Sequence, residues 1–263
     1  MDLGLGKKVV VVTGASFGIG RAAAERFAYE GAKVVLVART QSDLNVAAEE
    51  IKRVTNGSVL PVAADVRNME DIDAMVKQAV NEFGSVDVLV NNAGTGNAYS
   101  FDEMDDELLT YDLELKLYGA VHCIRAVLPV LKAGGGGSII NITTPAGKAA
   151  PGSSVPTSLS RAAGIALTKS LSKEYAALNI TVNTVCVSNI RSRQNQRRWE
   201  KMRSQSPNLS LEEFYQEGGK NVPLGRIADA NEAGDVIVFL ASPRASFITG
   251  TSINVDGGAA PTV

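Results

Sequence analysis

The chain has 263 residues, of which 45% are apolar and 21% charged, and a formal net charge of −2. That length and composition suffice for one globular core without disulfide or metal staples, and the slight negative charge argues against general nucleic-acid binding, which needs a basic surface. Two scattered cysteines, Cys123 and Cys186, exclude a disulfide framework or a zinc site and fit a reducing compartment. The first residues carry no apolar run of the signal-peptide kind. No stretch approaches the roughly 18 uninterrupted apolar residues of a spanning helix. A cytoplasmic protein with no membrane partner is expected.

In chain order, Val9-Val10-Val11-Val12 reads as a buried strand, followed at once by glycines. Residues 20–30 carry Ala23, Ala24, Phe27 and Ala28 at helical spacing and stop at Gly31. Lys33 to Ala38 is a second strand. Further strands are expected at 58–63, 86–90, 138–142, 180–185 and 252–255. Helices are expected at 43–54, 69–83, 103–132, 155–178 and 229–241. Near-continuous apolar strands separated by helices imply a parallel sheet covered on both faces. Right-handed crossovers then give a Rossmann-like, doubly wound α/β sheet of about seven strands in a single domain, 1–263. A polar insertion at about 190–221, with short helices near 192–204 and 210–218, sits where a substrate lid would.

Gly14, Gly18 and Gly20 follow the first strand and open a helix. Glycine lets backbone turn tightly and approach a phosphate closely. The helix N-terminus adds unpaired N–H groups and a positive dipole end. In this strand–turn–helix setting the pattern reads as a dinucleotide pyrophosphate site.

Thr13-Gly-Ala-Ser-Phe-Gly-Ile-Gly20 resembles the short-chain dehydrogenase/reductase family. So do Asp65-Val66, Asn91-Asn92-Ala93-Gly94, Ile180-Thr-Val-Asn183, and the ending from Ile248-Thr-Gly250 to Val255-Asp-Gly-Gly258. The motifs stand in family order along essentially the whole chain. The resemblance implies that Gly14, Ser16, Phe17, Gly18, Ile19 and Gly20 hold the cofactor's phosphates. It also implies that Asp65 and Val66 meet the adenine, that Asn91, Ala93 and Gly94 line the cofactor, and that Ile190 and Ser192 meet the nicotinamide carboxamide. Loop capping is the alternative for Asp65 and Asn91. At the end of the second strand, Ala38-Arg39-Thr40 offers no acid to repel a 2′-phosphate, and Arg39 can pair with one. NADP(H) is therefore expected in preference to NAD(H), unless Arg39 is merely solvated.

The chemistry of that family rests on an Asn, a Ser, a Tyr and a Lys, the last two spaced Y-x-x-x-K on one helix face. Carried over by position, the four are Lys116, Thr144, Thr157 and Arg161. Thr144 keeps a hydroxyl. Thr157 lacks a phenol, which titrates near 10. Arg161 can hold a ribose but cannot shuttle a proton. Lys116, if it points inward near Arg161, would have a depressed pKa and could act as a general acid or base. Otherwise it swings into solvent or pairs with Glu114. Tyr29-Glu-Gly-Ala-Lys33 matches Y-x-x-x-K only literally, because it spans a helix end and a turn. His122 reads as a core or subunit-contact residue.

The lid is basic, with Arg191, Arg193, Arg197, Arg198, Lys201 and Arg203 against Glu200 over residues 191–203. This is either a clamp for an anionic small-molecule substrate or a solvated face. Tyr215 is a conceivable substitute acid. Three functions stay open: an NADP(H)-linked carbonyl reductase or alcohol dehydrogenase with a rebuilt proton relay, a lyase, aldol-type or isomerase enzyme, and a silent dinucleotide binder. The resemblance also implies a homodimer or homotetramer through the two long helices.

Overall fold

A computed structural model of the chain describes residues 2–204, 206 and 208–263. Its elements alternate as β1 (Val9–Thr13), α1 (Gly18–Tyr29), β2 (Lys33–Ala38), α2 (Gln41–Thr55), β3 (Val59–Ala63), α3 (Met69–Phe83) and β4 (Val88–Asn91). There follow β5 (Ala98–Tyr99), α4 (Asp106–Leu113), α5 (Gly119–Ala133), β6 (Gly137–Thr143), β7 (Val155–Pro156), α6 (Thr157–Tyr175) and β8 (Ile180–Val187). The chain ends with α7 (Arg193–Arg203), α8 (Leu211–Gly219), α9 (Ala230–Ala241) and β9 (Ser252–Val255). Seven strands form one parallel sheet in the order β3-β2-β1-β4-β6-β8-β9.

The buried strands explain the sheet. Strand side chains alternate between faces, so Val10 and Val12 of β1 join a core with α1, α2 and α9, while Val9 and Val11 join another with α3 and α5. Both faces are covered, as the unbroken β-branched runs require. The strand order reverses between β1 and β4, which opens a crevice at their carboxyl ends. Among the described residues no helix is long and apolar enough to cross a membrane.

Two expected helices are cut differently. The stretch expected to be helical from 103 begins at Asp106, because Phe101–Glu103 forms a separate 3₁₀ turn and Asp105 caps α4 by accepting from the Leu108 N–H. Between α4 and α5, Glu114–Tyr118 is a π-helical turn. The stretch expected to be helical from 155 begins at Thr157, because Val155 and Pro156 form a two-residue strand that pairs antiparallel with Tyr99 and Ala98. A two-residue strand is too short to show any hydrophobic period, so only tertiary pairing reveals it.

Candidate active site

The crevice is a cleft of about 700 Å³ roofed by the first turns of α7. Its cofactor side starts at the end of β1. Thr13 Oγ1 accepts from the backbone N–H groups of Asn92 and Ala93, at 3.0 Å each. The Asn92 amide donates to the carbonyls of Thr13 and Gly14. These bonds tie the glycine turn to the end of β4.

The glycines divide by task. Gly14 and Gly18 have φ of +64° and +58°, which only glycine adopts cheaply. Open space faces Gly18, whereas a Cβ on Gly20 would collide with the Gly14 carbonyl and the Asn92 amide. Gly20 thus lets α1 pack on its own turn and lies outside the cleft lining, in contrast to Gly14, Ser16, Phe17, Gly18 and Ile19.

The N-terminus of α1 is bare. Phe17 offers no side-chain cap and the first turn has no acid, whereas α3 and α4 have both a capping side chain and acids there. An uncapped, unopposed helix N-terminus above a glycine with open space fits a pyrophosphate. Arg39, Asp65, Val66, Ala93 and Gly94 line the same cleft, as do Ile190 and Ser192. The Asp65 carboxylate accepts from Arg67 Nε and Nη2, and this pairing holds its pKa below the ordinary value. Asn91 is displaced from the lining. It is buried, and its amide donates to Asn141 Oδ1 at 2.9 Å. The lining amide is that of Asn92, one residue on.

The other end of the cleft gathers Thr144, Thr157 and Arg161, with Lys116 just beneath them. Thr144 Oγ1 accepts from the Ala146 N–H and so caps a 3₁₀ turn. Arg161 Nη1 donates to the Ile142 carbonyl at 2.8 Å, and Nε is buried without a partner among the described residues. Burial lowers its pKa to about 10.

Lys116 points inward from the π-helical turn, neither into solvent nor toward Glu114. Its side chain is 0% exposed and forms an ion pair with Asp112, one helical turn earlier and equally buried. Lys116 Nζ also donates to Thr157 Oγ1 at 2.9 Å. The Thr157 hydroxyl donates in turn to the Asn97 carbonyl. Asp112 accepts further from Ser160 Oγ at 2.7 Å and from the Asn97 amide at 3.3 Å. Burial foremost, then the charge of Arg161, lowers the Lys116 pKa to about 8, against the opposing pull of Asp112. A lysine beneath the cleft thus reaches it through one hydroxyl.

Other candidates fall away. Lys33 reaches over the Phe83 ring, away from the exposed Tyr29. His122 Nδ1 lies 3.1 Å from the Val66 carbonyl. Tyr215 is buried under the Arg191 guanidinium and is not part of the cleft lining. Asp112 and Asn97 were not foreseen. Asp112 carried one signal, its i,i+4 spacing to Lys116, which puts both on one helix face. The contribution of Asn97 is a carbonyl, which no residue type reveals.

A family model described as Enoyl-(Acyl carrier protein) reductase matches residues 14–260. The chain belongs to the short-chain dehydrogenase/reductase family. The oxidoreductase UcpA of Escherichia coli is 34% identical over 95% of this chain and 94% of its own length. L-sorbose reductase from Gluconobacter frateurii, solved with NADPH and L-sorbose, is 35% identical, superposes with a TM-score of 0.95 and is covered over 100% of both chains. Aldohexose dehydrogenase from Thermoplasma acidophilum is 32% identical, with a TM-score of 0.86 over 98% of this chain and 96% of its own. These relatives match the chain over nearly its whole length.

Proposed function

We propose that the chain is an NADP(H)-linked oxidoreductase that interconverts a carbonyl and an alcohol on a small molecule through an atypical proton relay. The observation that carries this reading is the Lys116 Nζ to Thr157 Oγ1 hydrogen bond. It joins a buried amine to a hydroxyl in the cleft. The NADPH in the sorbose reductase complex, the absence of an acid at Ala38-Arg39-Thr40 and the Arg39 guanidinium on the cleft wall support the choice of NADP(H). Gly14, Gly18, the bare α1 N-terminus, Arg39, Asp65, Ala93, Gly94, Ile190 and Ser192 would hold the dinucleotide, with Gly20 and Asn91 supporting that wall from behind. When bound, the cofactor supplies hydride exchange with the substrate carbon.

The chain's own work is the proton. In reduction the substrate oxygen takes the Thr157 proton while Thr157 Oγ1 takes one from Lys116, leaving that lysine as a neutral amine. The Thr157 proton must first turn from the Asn97 carbonyl toward the substrate. After product leaves, water in the cleft returns a proton along the same two atoms. Threonine alone cannot do this, because its alkoxide is inaccessible near neutrality, whereas Lys116 at about 8 is poised for general acid–base work. Asp112 holds the lysine in line, Thr144 supplies a second cleft hydroxyl, and Arg161 supplies a fixed positive charge on the floor.

One observation favours a second reading, cofactor binding without turnover. The Thr157 proton is engaged by Asn97, and Lys116 is closed off from the cleft. Following NADPH absorbance over a panel of aldehydes, ketones and ketoses separates the two. Consumption with at least one substrate, lost in Lys116→Met, supports the relay. Tight NADPH binding with no consumption across the panel sinks it, and product formation without net cofactor oxidation would point to lyase or isomerase chemistry. The exposed Tyr118 and Leu159, on the π-helical turn and α6, support pairing of these elements in a homodimer or homotetramer, which sedimentation would check.

A further inference from the structure

The first turns of α7 straddle the cleft. On one side the Arg193 guanidinium lies 3.9 Å from the centre of the Phe17 ring and 3.9 Å from Asp43. This is the side of the glycine turn and of β2. On the other side the Gln194 amide packs on Gly96, where an added Cβ would stand 2.6 Å from Gln194 Oε1. That is the side of Asn97 and Thr157. Side chains four apart share a helix face. Arg197 therefore continues the row of Arg193, and Arg198 continues the row of Gln194. Both arginines line the cleft.

Of the other lid cations, Lys201 is exposed and outside the cleft lining, and Arg191 and Arg203 have partners. Arg191 pairs with Glu212 and Asp229 and lies over Tyr215, and Arg203 lies over Trp199. Arg197 and Arg198 form no salt bridge among the described residues. The cleft walls carry five guanidinium groups, of Arg39, Arg161, Arg193, Arg197 and Arg198, against the carboxylates of Asp43 and Asp65. Both carboxylates are already paired, with Arg193 and Arg67. Such an excess stands out in a chain of net charge −2. In the floor, Arg161 Nε is buried and unpartnered. The cofactor's phosphates would account for positive charge on the Arg193–Arg197 side, beside the glycine turn. They leave the opposite row unexplained.

We infer that Arg198, with Gln194, forms an anion subsite on the substrate side, so that the carbonyl substrate carries a carboxylate or phosphate group. The inference rests on the reading that the cleft holds a dinucleotide and a carbonyl compound. A guanidinium recognises either anion through paired N–H donors, and the Gln194 amide adds a neutral donor. Arg197 faces the cofactor side.

Trp199, the only tryptophan of the chain, stands beside Arg198 on α7 and reports on the lid. Its indole donates to the Leu209 carbonyl at 2.9 Å. The experiment titrates the protein with NADP⁺ and then, with NADP⁺ saturating, with inorganic phosphate, following Trp199 fluorescence. It uses the unaltered chain, Arg197→Ala, Arg198→Ala, Arg198→Lys and, as an exposed control, Lys201→Ala. Arg198→Ala is expected to weaken phosphate binding about tenfold, as loss of a charge-assisted hydrogen bond does, with NADP⁺ affinity within about twofold. Arg198→Lys should recover part of the loss, and Lys201→Ala should change neither titration. Arg197→Ala is expected to weaken NADP⁺ instead. Absence of phosphate binding to the saturated protein, or phosphate binding unchanged in Arg198→Ala, overturns the subsite alone. Equal weakening of NADP⁺ and phosphate in Arg198→Ala assigns that arginine to the cofactor and also overturns it. Failure of NADP⁺ to bind the unaltered chain takes down the cofactor reading, and this inference with it.

Discussion

The two ends of the cleft are built from different materials. At the cofactor end the working parts are backbone: the turn around Gly14 and Gly18, the bare N–H groups of α1, and the tie from Thr13 to the end of β4. At the far end the residues proposed to act do so through side chains, those of Lys116, Thr144, Thr157 and Arg161. Backbone function survives sequence drift so long as glycines stay where φ or close approach demands them. Side-chain function changes with a single residue. The relay proposed above would therefore be a change of side chains alone, with the backbone-built end of the cleft kept.

The sharpest way to break this comparison is to remove Lys116. If it is the proton source, Lys116→Met should lower kcat by about 10²- to 10⁴-fold, the usual share of general acid–base catalysis, with NADPH affinity little changed. The pH dependence is the finer test. With a pKa of about 8, the reductive direction needs the ammonium form and should fall as pH rises through about 8. The oxidative direction needs the free amine and should rise over the same range. Rates in both directions that ignore pH between about 7 and 9 would exclude this lysine.

Asp112 tests the same end through stability. Asp112→Ala leaves the Lys116 charge buried and unpaired, which costs roughly 3–5 kcal/mol and would show as a large drop in Tm. It also removes the influence that opposes burial on Lys116, so the limb of the pH profile should move to lower pH. The double variant Asp112→Leu, Lys116→Met removes both charges and should recover much of the lost Tm, because replacing a buried ion pair by apolar groups is often close to neutral. A double variant no more stable than Asp112→Ala would show that packing, rather than charge, holds this corner together.

The glycines sharpen the contrast from the other end. In Gly20→Ala the new methyl would meet the Gly14 carbonyl and the Asn92 amide. Overpacking of this kind costs about 1–3 kcal/mol, so the variant should lose both Tm and NADP⁺ affinity. Gly18→Ala meets open space but keeps a positive φ, so it should lose about 1–2 kcal/mol of stability to backbone strain and lose affinity through the methyl group in the cleft. If Gly20→Ala binds NADP⁺ normally, the packing role assigned to that glycine fails.

How much of this could be read from residues alone follows the same division. Strands and helices announced themselves through period and punctuation, because Val9–Thr13 and Lys33–Ala38 are buried on both sides and Gly31 stops α1. The glycine-turn side of the cleft was legible because glycines at fixed spacing have few other uses after a strand. Even there, Asn91 proved to be a buried hydrogen-bonding residue and its neighbour Asn92 the lining one, since adjacent residues of a strand end point to opposite sides. At the far end, motif position located Lys116, Thr144, Thr157 and Arg161, but the direction of Lys116 depended on a π-helical turn and on Asp112. Neither the turn nor the Asn97 carbonyl leaves a compositional trace. Contacts made by backbone atoms, or set by a local change of helix pitch, are visible only in the folded chain.

The smallest effect concerns cofactor choice. Arg39 lines the cleft, and no salt bridge engages it among the described residues. It follows Ala38, the last residue of β2, where an acid would otherwise grip a ribose hydroxyl. If Arg39 meets a 2′-phosphate, Arg39→Ala should weaken NADP⁺ about tenfold, or roughly 1.4 kcal/mol, and leave NAD⁺ nearly unchanged. The loss should shrink at high salt, since an exposed charge pair is screened. Equal weakening of both dinucleotides would mean that Arg39 only supports the wall. The nearby carboxylate of Asp43 makes the result informative in either case. Held by Arg193, it leaves Arg39 free for a phosphate. Released by Arg193→Ala, it should oppose NADP⁺ more than NAD⁺, so the two variants together would show whether the lid helps set cofactor preference from across the cleft.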